Sequence, residues 1–279
     1  MTWPVMIAVL FGAMLHASWN VMVKSSTDKM LDTALIHLFC SLIAIPFFIA
    51  WGLPPAESWP YLAASVLIHI GYYFALAQAY HHGELGLTYP LMRGVAPLMV
   101  AVGSLVFIDG ASMSLIGWGG VSSICLGVLS LGMAAGLLQH RRAILIALLN
   151  SAIIASYTLF DAMGVRASQN APQYIAALFA LDGWAFALWV FYLRKKQAIE
   201  YFKARWLIGL GGASASVGSY AIALWAMTVA PVAAVAALRE TSVLFAVLLG
   251  TWFLKEKLTR KRLISVVMII VGAVGLRMA

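Results

Sequence analysis

The feature that most constrains this chain is the run from Ala230 to Leu254, which is almost wholly apolar but carries Arg239 and Glu240 side by side near its middle. A hydrocarbon core of about 30 Å needs roughly 20 apolar residues in a helix, so this run predicts one membrane crossing. A charge at the bilayer centre costs about 2.5 to 3.5 kcal/mol on insertion scales. We therefore predict that both side chains face protein or a water-filled cavity, either as a structural ion pair or as a substrate or proton site.

The rest of the chain has the same character. Of its 279 residues, 63% are hydrophobic and 10% are charged, whereas soluble domains average roughly 45 to 50% and 25%. The apolar segments are too long to be strands of a barrel. The sequence therefore predicts an all-α membrane protein with ten transmembrane helices and no separate soluble domain. The predicted segments are residues 3–23, 31–52, 59–80, 86–107, 113–137, 143–162, 172–193, 205–228, 231–254 and 262–278.

The basic residues predict the orientation. They give a formal net charge of +8, and most fall in loops that would be cytoplasmic if the N-terminus were outside. The opposite side keeps only Arg166 and Arg277. Because cytoplasmic loops carry an excess of Lys and Arg, we predict that both termini lie outside the plasma membrane, which in a bacterium is the inner membrane. The basic residues form no continuous face, so we predict no binding of nucleic acid.

The two halves of the chain resemble each other at a spacing of about 140 residues. Residues 17–20 (ASWN) align with 155–158 (ASYT), and residues 91–93 (LMR) align with 237–239 (ALR). With five helices in each half, the second copy is predicted to be inverted in the membrane. We predict two inverted five-helix repeats, residues 1–138 and 139–279.

Several longer motifs carry a family resemblance. They are residues 79–85 (AYHHGEL), 89–97 (YPLMRGVAP), 238–243 (LRETSV) and 254–258 (LKEKL). On these motifs the whole chain resembles the drug/metabolite transporter superfamily, in its ten-helix EamA-like branch. The resemblance implies a central cavity between two repeats, alternating access for a small metabolite or drug, and export rather than import. It does not specify the substrate.

The polar residues inside the helices define the candidate site. His16 and Asn20 are four residues apart and share one helix face. Arg93 and Arg239 occupy equivalent places in the two halves, so an inverted repeat would direct both towards one cavity. Two permanent cations there need negative charge from carboxylates or from the substrate. We therefore predict a substrate with a carboxylate, most simply an amino acid or a related zwitterion or anion. The predicted substrate-binding residues are His16, Asn20, Tyr73, Arg93, Tyr220, Trp225, Arg239 and Glu240, with the aromatic residues contacting the organic part.

Two other functions remain open at this point. A cationic drug held by Glu240 and the aromatic residues would make the protein a multidrug exporter, and a lateral groove facing the membrane lipids would favour a lipid-headgroup flippase. No motif of a metalloprotease, a nucleophile elbow or a phosphate-binding loop is present, so we predict no enzyme and no cofactor. We interpret His81 and His82 as solvated residues at a helix end and predict no metal site. The glycine pattern from Gly132 to Gly136 is compatible with contact within the bundle or across a homodimer.

Without an ATP-binding motif, transport is predicted to be passive or coupled to an ion. Glu240, Asp182 and His16 are the candidates for proton coupling, because they are titratable groups at membrane depth. Asp161 lies near the predicted end of the sixth helix, and we interpret it as a solvated structural residue.

The fourth helix is predicted to bend beside Arg93. Pro97 has no N–H, so the carbonyl of residue 93 loses its helical partner, and Pro90 and Gly94 loosen the same turn. We predict a hinge at Pro90, Gly94 and Pro97, placed next to the site that a gate would close over.

Overall fold

The computed structural model of this chain is a bundle of α-helices. It describes all residues except 25, 27, 83–84, 133–140 and 254–258, and for 24, 74, 76–82, 85–89, 132, 141–143, 249–253 and 261 it describes the backbone alone. The described residues form α-helices and one 3-10 helix without any strand, which confirms the all-α prediction. The helices are α1 (Trp3–Lys24), α2 (Lys29–Trp51), the 3-10 helix (Ala56–Ser58), α3 (Trp59–His82), α4 (Leu85–Phe107), α5 (Leu115–Gly132), α6 (Arg141–Ala167), α7 (Ala171–Asp182), α8 (Trp184–Val229), α9 (Val232–Arg239), α10 (Ser242–Phe253) and α11 (Arg260–Met278).

The predicted crossings map onto these helices once three interruptions are taken into account. The seventh predicted segment consists of α7 and the start of α8, which are separated at Gly183. Helix α8 then passes a non-helical residue, Lys195, with φ of 42° and ψ of −117°, and continues as the eighth segment. The ninth segment consists of α9 and α10, which are separated at Glu240 and Thr241. Five of the described helical segments are long and apolar enough to cross a membrane by length and composition: Trp3–Val23, Lys29–Trp51, Pro90–Phe107, Ile144–Ala167 and Ala171–Val229.

The two ends of the bundle carry different basic residues. At one end, the Arg277 guanidinium carbon lies 4.7 Å from the centroid of the Trp3 ring. Arg166 lies at the same end, because the segment between α4 and α5 lies beside both Arg166 and the end of α11. At the opposite end, Arg205 donates two hydrogen bonds of 3.1 and 3.0 Å to Asp32. The residues that the sequence assigns to the outer and the cytoplasmic side therefore lie at opposite ends.

The helices of the two halves pack in exchanged pairs. Helix α1 packs against α8, and α3 packs against α6, while α2 contacts α7, α4 contacts α9 and α5 contacts α11. The α5–α11 contact is close enough that a Cβ on Gly272 would lie 2.6 Å from the carbonyl oxygen of Gly120. Cys40 on α2 and Cys125 on α5 are free and have no exposed surface. The interior between these pairs holds the charged residues.

Candidate functional site

Arg93 on α4 and Glu240 at the α9–α10 interruption form a buried ion pair. The Arg93 Nε and Glu240 Oε2 atoms lie 2.9 Å apart, and each side chain is 5% exposed. At this distance the guanidinium and the carboxylate attract each other directly. The pairing joins the two helices whose arginines align in the sequence. It gives Glu240 a counter-ion from the other half of the chain.

The interruption itself is a tight turn. The N–H groups of Glu240 and Thr241 donate to the carbonyls three residues earlier, each at 3.0 Å, so the chain follows a 3-10 geometry here. The Thr241 hydroxyl also donates to the Leu238 carbonyl at 2.6 Å. The turn ends α9 directly after Arg239 and places Glu240 at the junction. Arg239 and Glu240 therefore have different partners although they are adjacent.

Arg239 contacts an aromatic ring instead of a carboxylate. Its guanidinium carbon lies 4.7 Å from the centroid of the Tyr220 ring on α8, and the residue is 8% exposed. Its Nε has no hydrogen-bond partner, and no carboxylate lies within ion-pairing distance of it, among the residues that the structure describes. A guanidinium on the face of an aromatic ring is stabilised by the ring quadrupole but is not neutralised. Arg239 is therefore a buried cation that can still accept an anionic partner.

His16 and Asn20 lie on α1, which contacts α9 and α10. His16 is within electrostatic range of both Arg93 and Arg239. Its Nδ1 accepts a 3.3 Å hydrogen bond from the Trp19 indole, and the Asn20 amide donates to the His16 carbonyl at 2.7 Å. Both residues are partly exposed, whereas the residues one turn earlier on the same face are buried. The structure thus brings this polar face to the same interior region.

The three predicted aromatic residues do not lie together. Tyr73 on α3 and Tyr220 on α8 are buried, and the Tyr73 hydroxyl donates to Asp182 Oδ2 at 2.9 Å. Trp225 is 40% exposed, and it lies about 140° around α8 from Tyr220, because each helical residue turns about 100°. The structure therefore places Tyr73 and Tyr220 inside the bundle and Trp225 on its outer surface.

Asp161 is not solvated, contrary to the prediction from the sequence. It has no exposed surface, and it accepts hydrogen bonds from the hydroxyls of Tyr174 at 3.0 Å and of Tyr220. The sixth predicted helix ended at residue 162, but α6 continues to Ala167, so Asp161 lies more than one turn inside the helix. A residue assigned to the membrane surface is thus part of the interior.

Sequence reasoning also missed the rings that connect these residues. The His69 ring on α3 lies 4.2 Å from the Tyr157 ring on α6, 6.1 Å from the Tyr220 ring and 6.2 Å from the Tyr73 ring, centroid to centroid. His37 on α2 lies 4.0 Å from Tyr73. Two spacings in the sequence carried a signal, since residues 157 and 161 and residues 69 and 73 are each four apart and share a helix face.

Helix α4 runs without a break through the predicted hinge. Pro90 and Pro97 both lie inside it, and a Cβ on Gly94 would lie 2.7 Å from the Leu129 side chain of α5. Gly94 is therefore a close-packing position, and the hinge function remains a prediction. Gly83, Glu84 and residues 254–258 of the family motifs lie outside the described residues, as do 133–136 of the glycine pattern, and of His81 and His82 only the backbone is described.

Comparison with known proteins supports the family resemblance. Residues 141–278 match the EamA-like transporter family. A crystal structure of a protein with 17% sequence identity matches with a TM-score of 0.76, and the match covers 98% of each chain. At this identity the likeness concerns the fold. No curated protein matches the chain.

These findings fit the apolar helices and the buried charges. A transporter family domain in a bundle of apolar helices identifies an integral membrane protein, and it points to transport of a small molecule rather than to an enzymatic reaction. The family match covers residues 141–278, and the likeness in fold extends over both halves. The chain therefore contains an EamA-like transporter family domain, as its sequence motifs predict.

Proposed function

We propose that this protein is a secondary transporter that moves a small organic anion or zwitterion, most simply an amino acid, by alternating access. The observation that carries the proposal is the setting of Arg239, which is buried and has no described carboxylate as a counter-ion. A substrate carboxylate would supply that charge through a bidentate contact. The rings of Tyr220, Tyr157 and His69 would contact its organic part. In this arrangement the Arg93–Glu240 pair also lines the cavity, and its two charges already balance each other.

The arrangement of helices supports alternating access. The exchanged packing of α1 with α8 and α3 with α6 is expected of two inverted repeats, which we propose to be residues 1–138 and 139–279. Two crossings are interrupted next to buried carboxylates, at Gly183 and at Glu240. Discontinuous helices near a binding site are typical of secondary transporters. We propose that both termini lie outside the plasma membrane and, from the family resemblance, that the substrate moves outwards.

One observation favours a cationic substrate as the second candidate. Asp161 and Asp182 lie in the same buried region as the rings of His69, Tyr73 and Tyr220, and such rings bind cations on their faces. A cation bound there would be repelled by Arg239. Removing that arginine would therefore strengthen binding of a cation and weaken binding of an anion.

The test begins with purified protein and a thermal-shift screen of amino acids, organic acids, sugars and cationic drugs, since a ligand of the folded state raises the melting temperature. Transport of the most stabilising compound is then measured in proteoliposomes for Arg239→Gln and Arg239→Lys. For an anion or zwitterion, Arg239→Gln should reduce transport about ten- to a hundredfold, because a charged hydrogen bond contributes about 1.5 to 3 kcal/mol. Arg239→Lys should retain part of the activity because it keeps the charge.

Arg277→Gln is the matched control. Arg277 lies 4.7 Å from the Trp3 ring, the same distance as Arg239 from Tyr220, but at the end of the bundle. It should transport normally. Undiminished transport of a carboxylate substrate by folded Arg239→Gln would refute the proposed binding role, and faster transport of a cationic drug by that variant would favour the second candidate.

A further inference from the structure

Two carboxylates from different helices share one buried cluster. Asp161 on α6 has no exposed surface and Asp182 at the end of α7 is 2% exposed. Asp182 accepts from Tyr73 and Asp161 accepts from Tyr220, and the His69 ring on α3 lies 6.2 Å from the Tyr73 ring and 6.1 Å from the Tyr220 ring. Neither carboxylate forms an ion pair with Lys or Arg among the described residues. The charge of this cluster must therefore be balanced by protons or by His69.

The two carboxylates differ in their hydrogen bonds. Asp161 accepts from two phenols, those of Tyr174 and Tyr220, and so each of its oxygens has a donor. Asp182 accepts from Tyr73 at Oδ2 only, and its buried Oδ1 has no partner among the described residues. A buried oxygen without a donor is costly when the carboxylate is charged. Oδ1 of Asp182 is therefore the atom in this cluster at which a proton relieves the largest unsatisfied charge.

The His69 ring lies between the two phenols that donate to these carboxylates, 6.2 Å from the Tyr73 ring and 6.1 Å from the Tyr220 ring. Its Nδ1 lies 3.0 Å from the Ser65 carbonyl oxygen, which can only accept a hydrogen bond. The Ser65 hydroxyl, which can donate or accept, also lies 3.1 Å from Nδ1. The carbonyl contact favours the tautomer with hydrogen on Nδ1, and Nε2 is then the ring nitrogen with a lone pair.

Like charges held close together in a site of low dielectric cannot all ionise without a large cost, and so such a group retains a shared proton. We propose that Asp161, Asp182 and His69 form a proton-binding site of the transport cycle, and that Tyr220 links it to the substrate site at Arg239. The proton comes from water and returns to water. Glu240, the first candidate from the sequence, is already balanced by Arg93.

Tyr220 provides a direct physical link. Its hydroxyl donates to Asp161, and the face of its ring holds the Arg239 guanidinium. Arg239 therefore lies on the ring whose hydroxyl binds Asp161, and a cation at that position favours the ionised Asp161 carboxylate. The groups that face the two carboxylates are His37 and Cys40 from α2, Ser65, His69 and Tyr73 from α3, Tyr157 from α6, Tyr174 from α7, Tyr220 from α8 and, behind its ring, Arg239 from α9.

The direction of coupling follows from these charges, and this step rests on the proposed function. An anion bound to Arg239 cancels the cation that favours ionised Asp161, so the cluster then takes up a proton. By the same linkage, a bound proton strengthens binding of the anion. Substrate and proton therefore bind together and move in the same direction, so the outward movement proposed above would be driven by the substrate gradient and opposed by an inward proton gradient. A cationic substrate would instead displace the proton.

The test uses no substrate, so its result is separate from that of the proposed function. Infrared pH-difference spectra of the purified full-length protein report protonated carboxyl groups between about pH 5 and 9. The wild type should show a carboxyl band that grows as the pH falls through this range, and Asp182→Asn and Asp161→Asn should each remove or displace it. At about pH 7, Arg239→Gln should increase the band at least about twofold, as a bound anion would, and Arg239→Lys should leave it near the wild-type size.

A pair of tyrosine variants provides the matched control. Tyr220→Phe removes one donor from Asp161 and should also increase the band. Tyr201→Phe removes a comparable phenol donor, since the Tyr201 hydroxyl donates to Asp32 at 2.9 Å. Asp32 keeps its ion pair with Arg205, so this variant should leave the band unchanged. Gel filtration shows which variants are folded. A band that persists unchanged in a folded Asp182→Asn or Asp161→Asn variant would overturn the proton site, and an identical band in wild type and Arg239→Gln would overturn the link to Arg239.

Discussion

The Arg93–Glu240 pair shows how a single residue controls the stability of the interior. Both side chains are only 5% exposed, so each contributes to compensation of the other's buried charge. Removing one partner of a buried pair costs more than removing both, because an isolated charge remains in a medium of low dielectric. Arg239 differs because a neutral ring holds it, so its removal leaves no buried carboxylate unpaired.

We predict that Glu240→Gln lowers the free energy of unfolding by about 3 to 5 kcal/mol, as for other broken buried pairs. The double variant Arg93→Gln, Glu240→Gln should lose clearly less than the sum of the two single variants, because it leaves no unpaired charge. Reversible unfolding in mixed detergent measures all three. Purely additive losses would show that the two side chains do not stabilise each other.

At the residue scale, the sequence indicated the charged residues better than their partners. Arg93, Arg239 and Glu240 stand out because a charge in an apolar run is costly unless it is paired or functional. His69 and Tyr157 could not be recognised in the same way, since rings in membrane helices are common and their meeting depends on how α3 packs against α6. The spacing of residues along one helix predicts a shared face but not the helix that faces it.

At the scale of elements, the break between α7 and α8 is held by a serine from α2. The Ser41 hydroxyl donates to the Phe179 carbonyl at 2.7 Å and accepts from the Gly183 N–H at 3.2 Å. Gly183 has an ordinary helical backbone, so a glycine is not needed here for its conformational freedom. It is needed for its small size, because a Cβ there would collide with the His37 carbonyl oxygen and lie 2.6 Å from Ser41 Oγ. The close approach of α2 fixes the position of Asp182.

We predict that Gly183→Ala destabilises the protein by about 1 to 3 kcal/mol, since the added methyl group must displace backbone atoms of α2. Gly71→Ala is the control, because a Cβ on Gly71 meets no atom within 4 Å. It should unfold at the wild-type temperature or slightly above. Thermal unfolding in detergent compares them, and equal melting temperatures would contradict the close packing at Gly183.

The apolar helical runs could be predicted from the sequence, but their interruptions could not. Apolar runs determine where a helix is stable in lipid, and these runs pass through Gly183 and Glu240 without a proline. The breaks arise from contacts with other helices, such as those of Ser41 with α7 and of Arg93 with Glu240. The pattern of apolar and polar residues within one segment does not predict those contacts.

At the scale of the whole molecule, the distribution of basic residues predicts the orientation. Arg166 and Arg277 lie at one end, and Arg194 and Arg205 lie at the other with Asp28 and Asp32 as acidic partners. An excess of basic residues marks the cytoplasmic side. A reporter that is active only in the cytoplasm should therefore be silent when it is fused after Ala279 and active when it is inserted next to Lys196. Strong activity after Ala279 would reverse the orientation.

The burial of both cysteines makes the native chain suitable for chemical mapping. Cys40 and Cys125 have no exposed surface, so a maleimide that cannot cross membranes should leave the folded wild type unlabelled. A cysteine placed at the exposed Ser112 or Lys196 would then be the reactive thiol, without prior removal of the native ones. Placed instead at His16 or Asn20, it would become modified only when the interior is open to that side of the membrane. The rate of labelling would thus report to which side of the membrane the interior is open.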